Sequence, residues 1–470
     1  MSWRFNALVL TTILALGFSA LATSEPRYVI LLIGDGMDDS QITLARNYLK
    51  GAQGRLQMDS LPFRSSVQVI TMSEQDPSKP VYVADSANTA TTLATGQVTS
   101  RGRIATTAKT DKDLTTIAEL AKAAGYATGI VTTASITDAT PAAFISHIGL
   151  RGCQNSERMW TATSLDKSRQ GCEADLKANG GKGSIAEQIA EGTTDLILGG
   201  GNKHFQIMAE TTDQTVQSIA EANGYSVIHN TKVLQAMTGE EKILGLFARK
   251  TMEVKLRGKD DRKAEHPKRK IKNWLSWSPN TATLPEPMQC EANPDFANTP
   301  TLPTMTQAAL DLLVKRGGDK GFFLMVESAS IDKQAHRRNP CGQIGELEQL
   351  DDALKKALTF AKQHANTLIL VTADHGHAAQ IIPLRYALPK KLSTPDKAKF
   401  DKSKADIYSP GKVALLQTAD DQIMVINYAT NNASSADHTG TQVPLMSNQP
   451  LPGMMQQSEI FSIMQKYLQL

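Results

Sequence analysis

Cysteine is scarce in this chain of 470 residues: there are four, and no two stand in a Cys-x-x-Cys pair. That argues against a zinc-thiolate centre, which draws its ligands from such pairs. Long hydrophobic runs are also missing. Beyond Ala22 no apolar stretch reaches the roughly 18 residues that a membrane-spanning helix requires, so the body of the protein is expected to stay out of the bilayer. No segment recurs at a fixed period, which sets aside repeat architectures. Charge of one sign is lacking too, because 50 Lys and Arg against 47 Asp and Glu leave a formal +3. That balance is too even for a chain-wide affinity for polyanions.

What is present has the composition of a large folded protein, 41% hydrophobic and 21% charged, in the ordinary globular range. Residues Met1 to Ala22 carry Arg4, an apolar stretch from Ala7 to Leu21 and the ending Ala20-Leu21-Ala22, the pattern of a cleavable signal peptide. Residues 23–470 are then expected to form a single domain, with inserted segments at about 249–272 and 381–418. In an exported chain the even set Cys153, Cys172, Cys290 and Cys341 predicts disulfides and an oxidising compartment. A bacterial periplasm fits best, with surface anchoring or full secretion as the alternatives. Four cysteines leave three pairings open.

Strand-like and helix-like runs alternate, as a doubly wound α/β fold requires. Tyr28 to Ile33, Gly321 to Val326 and Thr367 to Ala373 are short, almost wholly apolar runs of the kind that mark strands buried on both faces. They end in Asp35, in Glu327 and in Asp374-His375. Carboxylates and an imidazole are thus delivered to the carboxyl edge of a parallel sheet, where such folds bind ligands. Helices are expected at Asp113 to Ala124, Ser184 to Glu191, Gln307 to Lys315 and Leu347 to His364, with further strands at Tyr126 to Val131 and Asp195 to Leu198.

Asp332 and His336 are four apart, so one helix face can present both to one ion. Ser86 opens a run of small residues and threonines that reaches Gly96, a composition that suits a helix whose amino terminus faces a phosphate. Serine is a weak nucleophile unless a base, a helix terminus or a metal activates it. With metal ligands elsewhere in the chain, Ser86 reads as a metal-activated nucleophile for phosphoryl transfer. The structural alternative is that Ser86 only caps its helix. Thr140, just before Pro141, is open in the same way between metal ligand and helix cap with proline at the first helical position. His377 is expected to donate its ring N–H to a ligating carboxylate such as Asp332. His147, His204, His229, His266 and His364 read as ordinary structural residues.

The stretches GDGMDDSQITLARNY, YVADSANTATTLATG, ITDATPAAFISHIGLRGC, VESASIDKQAHRRNPCGQIGE, TADHGH and HTGTQ, in this order over residues 27 to 441, resemble bacterial alkaline phosphatases. The resemblance implies a large three-layer domain around a central, mostly parallel sheet, with a small accessory subdomain, acting on small phosphomonoesters as a homodimer. It also implies two zinc ions and one magnesium. Ser86 then matches the nucleophile that becomes a phosphoserine, and Arg151 the guanidinium that holds two phosphate oxygens. Asp332, His336 and His438 match the first zinc site, and Asp35, Asp374 and His375 the second. Asp35 also reaches toward magnesium, whose other ligands match Thr140 and Glu327. Asp138 and Lys333 match residues that act on the magnesium's waters and, through water, on phosphate. The disulfides implied are Cys153–Cys172 and Cys290–Cys341.

These residue types suit the chemistry. One metal lowers the pKa of Ser86 while the other neutralises the leaving oxygen, and a planar arginine fork matches two oxygens of a dianion as lysine cannot. A phosphodiesterase or sulfatase of the same superfamily is the alternative, the first disfavoured by Arg151 with Thr140 and Glu327, the second because no cysteine occupies a strand-to-helix position like that of Ser86. An idle phosphate- or metal-binding protein would be expected to have lost Ser86 or a ligand. Between 249 and 272 stand eleven Lys or Arg against four acids. This stretch reads either as a solvated excursion or as an attractor for nucleic acid, anionic lipid or an envelope polymer. No specific nucleic-acid partner and no membrane span in the mature chain are expected.

Overall fold

The computed structural model describes residues 25–164, 167–269, 282–383 and 411–470. The expected signal peptide, the basic segment from residue 270 on and most of the second inserted segment lie outside the described residues. Ten strands form one sheet: β1 (Arg27–Gly34), β2 (Phe63–Gln68), β3 (Ala127–Ser135), β4 (Leu196–Gly200), β5 (Tyr225–Ile228), β6 (Lys242–Leu246), β7 (Gly321–Ser328), β8 (Thr367–Ala373), β9 (Val443–Ser447) and β10 (Met454–Gln456), in the order β10-β2-β9-β8-β1-β7-β3-β4-β6-β5. Only β9 runs against the others. The protein is therefore an α/β fold built on a mostly parallel sheet.

The central strands are where the sequence is most uniformly apolar. Val29 to Ile33 of β1 and Phe322 to Val326 of β7 are completely buried, and each such side chain contributes about 1.5–3 kcal/mol by leaving water. Burial on both faces requires helices above and below the sheet. One layer holds α2 (Ser86–Thr95), α3 (Ile117–Ala123), α4 (Ala139–Ile145) and the carboxyl-terminal helix Ser458–Leu468; the other holds α1 (Asp39–Lys50), α7 (Leu302–Gly317) and α9 (Pro340–Gln363). Register then fixes the site, because Ile33 of β1 lies beside Glu327 of β7, and Gly34 lies beside Ala373 of β8. Asp35, Glu327 and Asp374 thus emerge at one level of the sheet edge.

A small antiparallel sheet of Gln380–Ile382, Lys412–Gln417 and Ile423–Tyr428 stands apart, with its own apolar cluster of Leu284, Val413, Leu415 and Val425. Disulfides join Cys153 to Cys172 and Cys290 to Cys341, the pairing that the resemblance implied.

Several element boundaries differ from the sequence reading. The helix expected from Asp113 begins at Ile117, because the Thr116 hydroxyl accepts from Glu119 N and Glu119 reaches back to Thr116 N. The helices expected from Gln307 and Leu347 begin at Leu302 and Pro340, each with proline in the first turn, where a missing N–H costs nothing. Strand β3 runs four residues past Val131, to Ser135.

Candidate active site

Most of the residues expected to act together lie close to one another, although Asp374 belongs to neither group of side chains with metal-sized spacing. Ser86 is the first residue of α2, buried, with its Oγ 3.1 Å from His375 Nε2 and 3.4 Å from Asp35 Oδ1. It is not the cap of that helix. Asp85 is, accepting from Asn88 N while the Asn88 side chain answers Asp85 N. Capping by its neighbour leaves the Ser86 hydroxyl free for chemistry, and the first-turn N–H groups face the same space. The cap reading of Thr140 fails similarly. Asp138 caps α4, and Thr140 sits inside the first turn with its Oγ1 buried and turned toward Glu327.

Asp374 follows β8 and is held through its carboxylate by Gly36 N at 2.9 Å and by its own neighbour, His375 N, at 2.8 Å. Gly36 has φ +69°, and a Cβ there would press on the Asp332 side chain at 3.1 Å; a glycine lets β1 and the Asp332 helix approach this closely. That helix, α8 (Ser330–His336), carries Asp332, Lys333 and His336. Glu327, at the end of β7, accepts from Thr132 of β3.

Two groups of side chains have metal-sized spacing: Asp332, His336, His377 and His438, and Asp35, Asp332 and His375. Ring tautomers separate ligands from supports. His336 Nδ1 faces Ala436 O at 2.5 Å, His438 Nδ1 faces Ala84 O at 2.8 Å and His375 Nδ1 faces Gly376 O at 3.2 Å. Each of these nitrogens must carry the proton, so each Nε2 offers a lone pair. His377 is reversed. Its Nδ1 accepts from Ala378 N at 2.7 Å, which puts the proton on Nε2, 3.3 Å from Asp332 Oδ1. A protonated nitrogen cannot ligate, so His377 faces Asp332 with its N–H at 3.3 Å, close enough for electrostatic attraction but not aligned as a hydrogen bond.

The donor set fits divalent cations. The Nε2 atoms of His336 and His438 face one another at 3.2 Å, an arrangement of two lone pairs that calls for a positive charge beside them. Asp35, Glu327, Asp332 and Asp374 are all buried, and buried charge of one sign must be compensated. Burial first, then Asp374, Asp332 and Glu327, raises the Asp35 carboxyl well above the carboxylate range. Burial likewise pushes Glu327 up to about 7. Burial lowers His375 to about 4 and His377 to about 3, so both are neutral at pH 7. His438 goes the other way, to about 9, because its bond and attraction to Asp332 outweigh burial; without a cation its Nε2 thus holds a proton of its own, and the lone pair is offered only when a metal displaces that proton.

Arg151 is splayed between two carboxylates, Nη1 at 3.1 Å from Asp85 Oδ2 and Nη2 at 3.2 Å from Asp138 Oδ1. Lys333 Nζ stands 2.6 Å from Asp138 Oδ2. Despite its burial, Asp138 is therefore held well below the usual carboxylate range by Lys333 and then Arg151. Asp85 was missed in the sequence, although an Asp three residues before Asn88 at a helix start is a capping-box signal. Thr132 and Arg338 had no such signal. Arg338 is almost wholly buried and donates to Ser434 O at 2.9 Å, Asn431 O at 3.2 Å and Asn431 Oδ1 at 3.0 Å. It thereby holds the loop whose Ala436 carbonyl orients His336 and which leads into His438.

A family model described as alkaline phosphatase matches residues 26–470. Alkaline phosphatase of Escherichia coli is 38% identical over 96% of this chain and 88% of its own length. Streptomycin-6-phosphate phosphatase of Streptomyces griseus is 40% identical over 96% of this chain and 93% of its own. Among solved structures, alkaline phosphatase of the Antarctic bacterium TAB5 superposes with a TM-score of 0.63 at 23% identity, covering 95% of this chain and 99% of that one. That likeness concerns the fold.

Proposed function

The chain belongs to the alkaline phosphatase family and is a phosphatase, and we propose that it hydrolyses phosphate monoesters through a phosphoserine on Ser86, with two zinc ions and one magnesium as cofactors. The observation that carries this reading is the placement of the Ser86 hydroxyl. It stands at the first residue of α2, within 3.4 Å of both Asp35 and His375, with Arg151 tethered to the preceding residue.

On this reading Asp332, His336 and His438 hold one zinc and Asp35, Asp374 and His375 the other, while Asp35, Thr140 and Glu327 serve magnesium. When bound, the metals act as Lewis acids that lower the pKa of the Ser86 hydroxyl and neutralise the leaving oxygen. Ser86 Oγ attacks phosphorus in line, and the alcohol leaves. A water then attacks from the side the alcohol vacated, releasing inorganic phosphate and restoring Ser86. Through both steps the Arg151 fork holds two equatorial oxygens, oriented by Asp85 and Asp138. Lys333, anchored on Asp138, offers its positive charge toward phosphate, and His377 turns its Nε2–H toward Asp332 at 3.3 Å and would support that ligand electrostatically.

The test is stereochemical. Two in-line displacements invert phosphorus twice, so a chiral phosphate monoester should give net retention, with phosphoryl transfer to an added amino-alcohol. Ser86→Ala should be much slower and transfer nothing to the alcohol. Net inversion by the wild-type protein, or undiminished turnover by the variant, would refute the phosphoserine.

We also propose that residues 1–22 are a cleaved signal peptide, that residues 23–470 form the phosphatase domain with inserted segments about 249–272 and 381–418, and that the mature protein is a periplasmic homodimer. The two disulfides support an oxidising compartment. No helix among the described residues is long and apolar enough to cross a membrane.

A further inference from the structure

The edge of the sheet that carries Ser86 and Arg151 continues past the site, along the carboxyl ends of β4 and β6, and it changes character there. Helix α6 (Asn202–Phe205) follows β4 directly and carries Lys203. Backbone bonds seat it on the segment after β6: Asn202 N donates to Ala248 O at 3.0 Å, Lys203 N to Arg249 O at 3.2 Å and Gly201 N to Lys250 O at 2.9 Å. Arg158 joins them from the Arg151 loop. The Asn155 amide oxygen accepts from Arg158 N at 3.1 Å, while its NH2 meets His204 Nδ1 at 3.1 Å. One buried asparagine thus clamps the turn bearing Arg158 to the helix bearing Lys203, and the Cys153–Cys172 bridge ties off the same loop.

Arg158, Arg249 and Lys250 are exposed and Lys203 is half-buried. None of the four makes an ion pair among the described residues, even with the adjacent Glu157, whereas Arg151 and Lys333 one step along the edge are both paired. The four are close enough that Lys250, Arg249 and Arg158, after burial, depress Lys203. Four cations held together by backbone contacts and left without carboxylates form a built anion-attracting surface. Asp138 lies three residues beyond β3 and Arg249 three beyond β6. With β4 between them, the strands that lead to these two residues are about 10 Å apart.

We propose that Arg158, Lys203, Arg249 and Lys250 form a subsite for a second phosphate on the substrate, so that the favoured substrates are small molecules phosphorylated twice. This rests on the phosphomonoesterase reading and adds a preference to it. The cations would act on the leaving-group side, by attraction and not by contact with the reacting phosphorus.

Two positive charges facing a dianion across about 10 Å of water favour it about eightfold at 0.01 M ionic strength and about twofold near 0.15 M, where the Debye length is about 8 Å. The experiment compares fructose 1,6-bisphosphate with fructose 1-phosphate, by initial phosphate release, for the wild type and the double variant Arg249→Gln, Lys250→Gln. Expected is a fall in kcat/KM of about those sizes for fructose 1-phosphate, whose single phosphate stands about that far from the pair, and a larger fall for the bisphosphate, whose second phosphate lies nearer, both carried by KM and steeper at low salt. Equal falls for both sugars, or none for either, would overturn the subsite while leaving the phosphatase reading intact. No phosphate release from either sugar by the wild type would overturn that reading and the subsite with it.

Discussion

Replacing Arg338 by methionine keeps most of the side-chain volume and removes only the guanidinium, so it isolates what that group does. Three hydrogen bonds are lost, to Ser434 O, Asn431 O and Asn431 Oδ1. Ser434 is exposed and Asn431 half-buried, so their acceptors rehydrate, and the cost of burying the guanidinium disappears with it. Global stability should therefore fall by only about 1–2 kcal/mol. The metal site should suffer more. Ala436, which orients His336 through its carbonyl, ends the loop that Arg338 holds, and His438 stands two residues further on. If two residues of that loop are freed, about 2–3 kcal/mol of ordering must be supplied when metal binds. That weakens binding about thirty- to 150-fold, close to the usual effect of disturbing the partners of metal ligands. Zinc affinity of the metal-depleted protein, measured by competition with a chromophoric chelator, reads this directly, and urea unfolding of the same material reads stability. Arg338→Lys should recover part of the loss. A methionine variant that loses stability but binds zinc within threefold of the wild type would refute the reasoning.

If Arg151 is the proposed bidentate clamp, Arg151→Ala should weaken inhibition by phosphate and lower kcat/KM by the equivalent of about 2–3 kcal/mol, mostly in KM, with substantial kcat retained. Unchanged phosphate inhibition would exclude Arg151 from the site. Glu346 supplies a pH dependence: burial pushes its carboxyl from 4.5 up to about 7. Between those values the folded protein holds a proton that the unfolded chain has released, so stability from this group is full below about pH 4.5 and declines until pH passes about 7. Glu346→Gln should therefore be more stable than the wild type by about 1–3 kcal/mol near pH 8, with the gain vanishing near pH 4. Urea unfolding at the two pH values checks it, and a difference independent of pH would exclude Glu346 as its source.

The fold and most of the site could be read from local features. Runs such as Tyr28–Ile33 and Phe322–Val326 are apolar without alternation because both faces are covered, and a polar residue that interrupts the end of such a run stands at the sheet edge. Asp35, Glu327 and Asp374 were identified that way. The spacing of Asp332 and His336 needs only a helix to become a common face. These inferences succeed because burial and helical periodicity are properties of neighbouring residues.

Other features were settled by contacts between distant parts of the chain. Whether Ser86 or Asp85 caps α2 depends on which side chain turns back to the backbone, and Asp85 is also drawn by Arg151, 66 residues away. Spacing to Asp332 singled out His336 as a ligand and left His377 as a support, but which ring nitrogen of each carries the proton is fixed only by the carbonyl or N–H that its Nδ1 meets. Arg338 reads as a surface residue in a polar stretch, and only the loop 96 residues later makes it an internal brace. The cations at 158, 203, 249 and 250 come from three separate segments and become one surface through the adjacency of β3, β4 and β6 in the sheet. By itself the sequence determined which residues are buried, which elements form and which donors stand at strand ends. The tertiary structure decided which nitrogen is a lone pair, which carboxylate is a cap and which charges share a surface, because those depend on strand order and register between segments far apart in the chain.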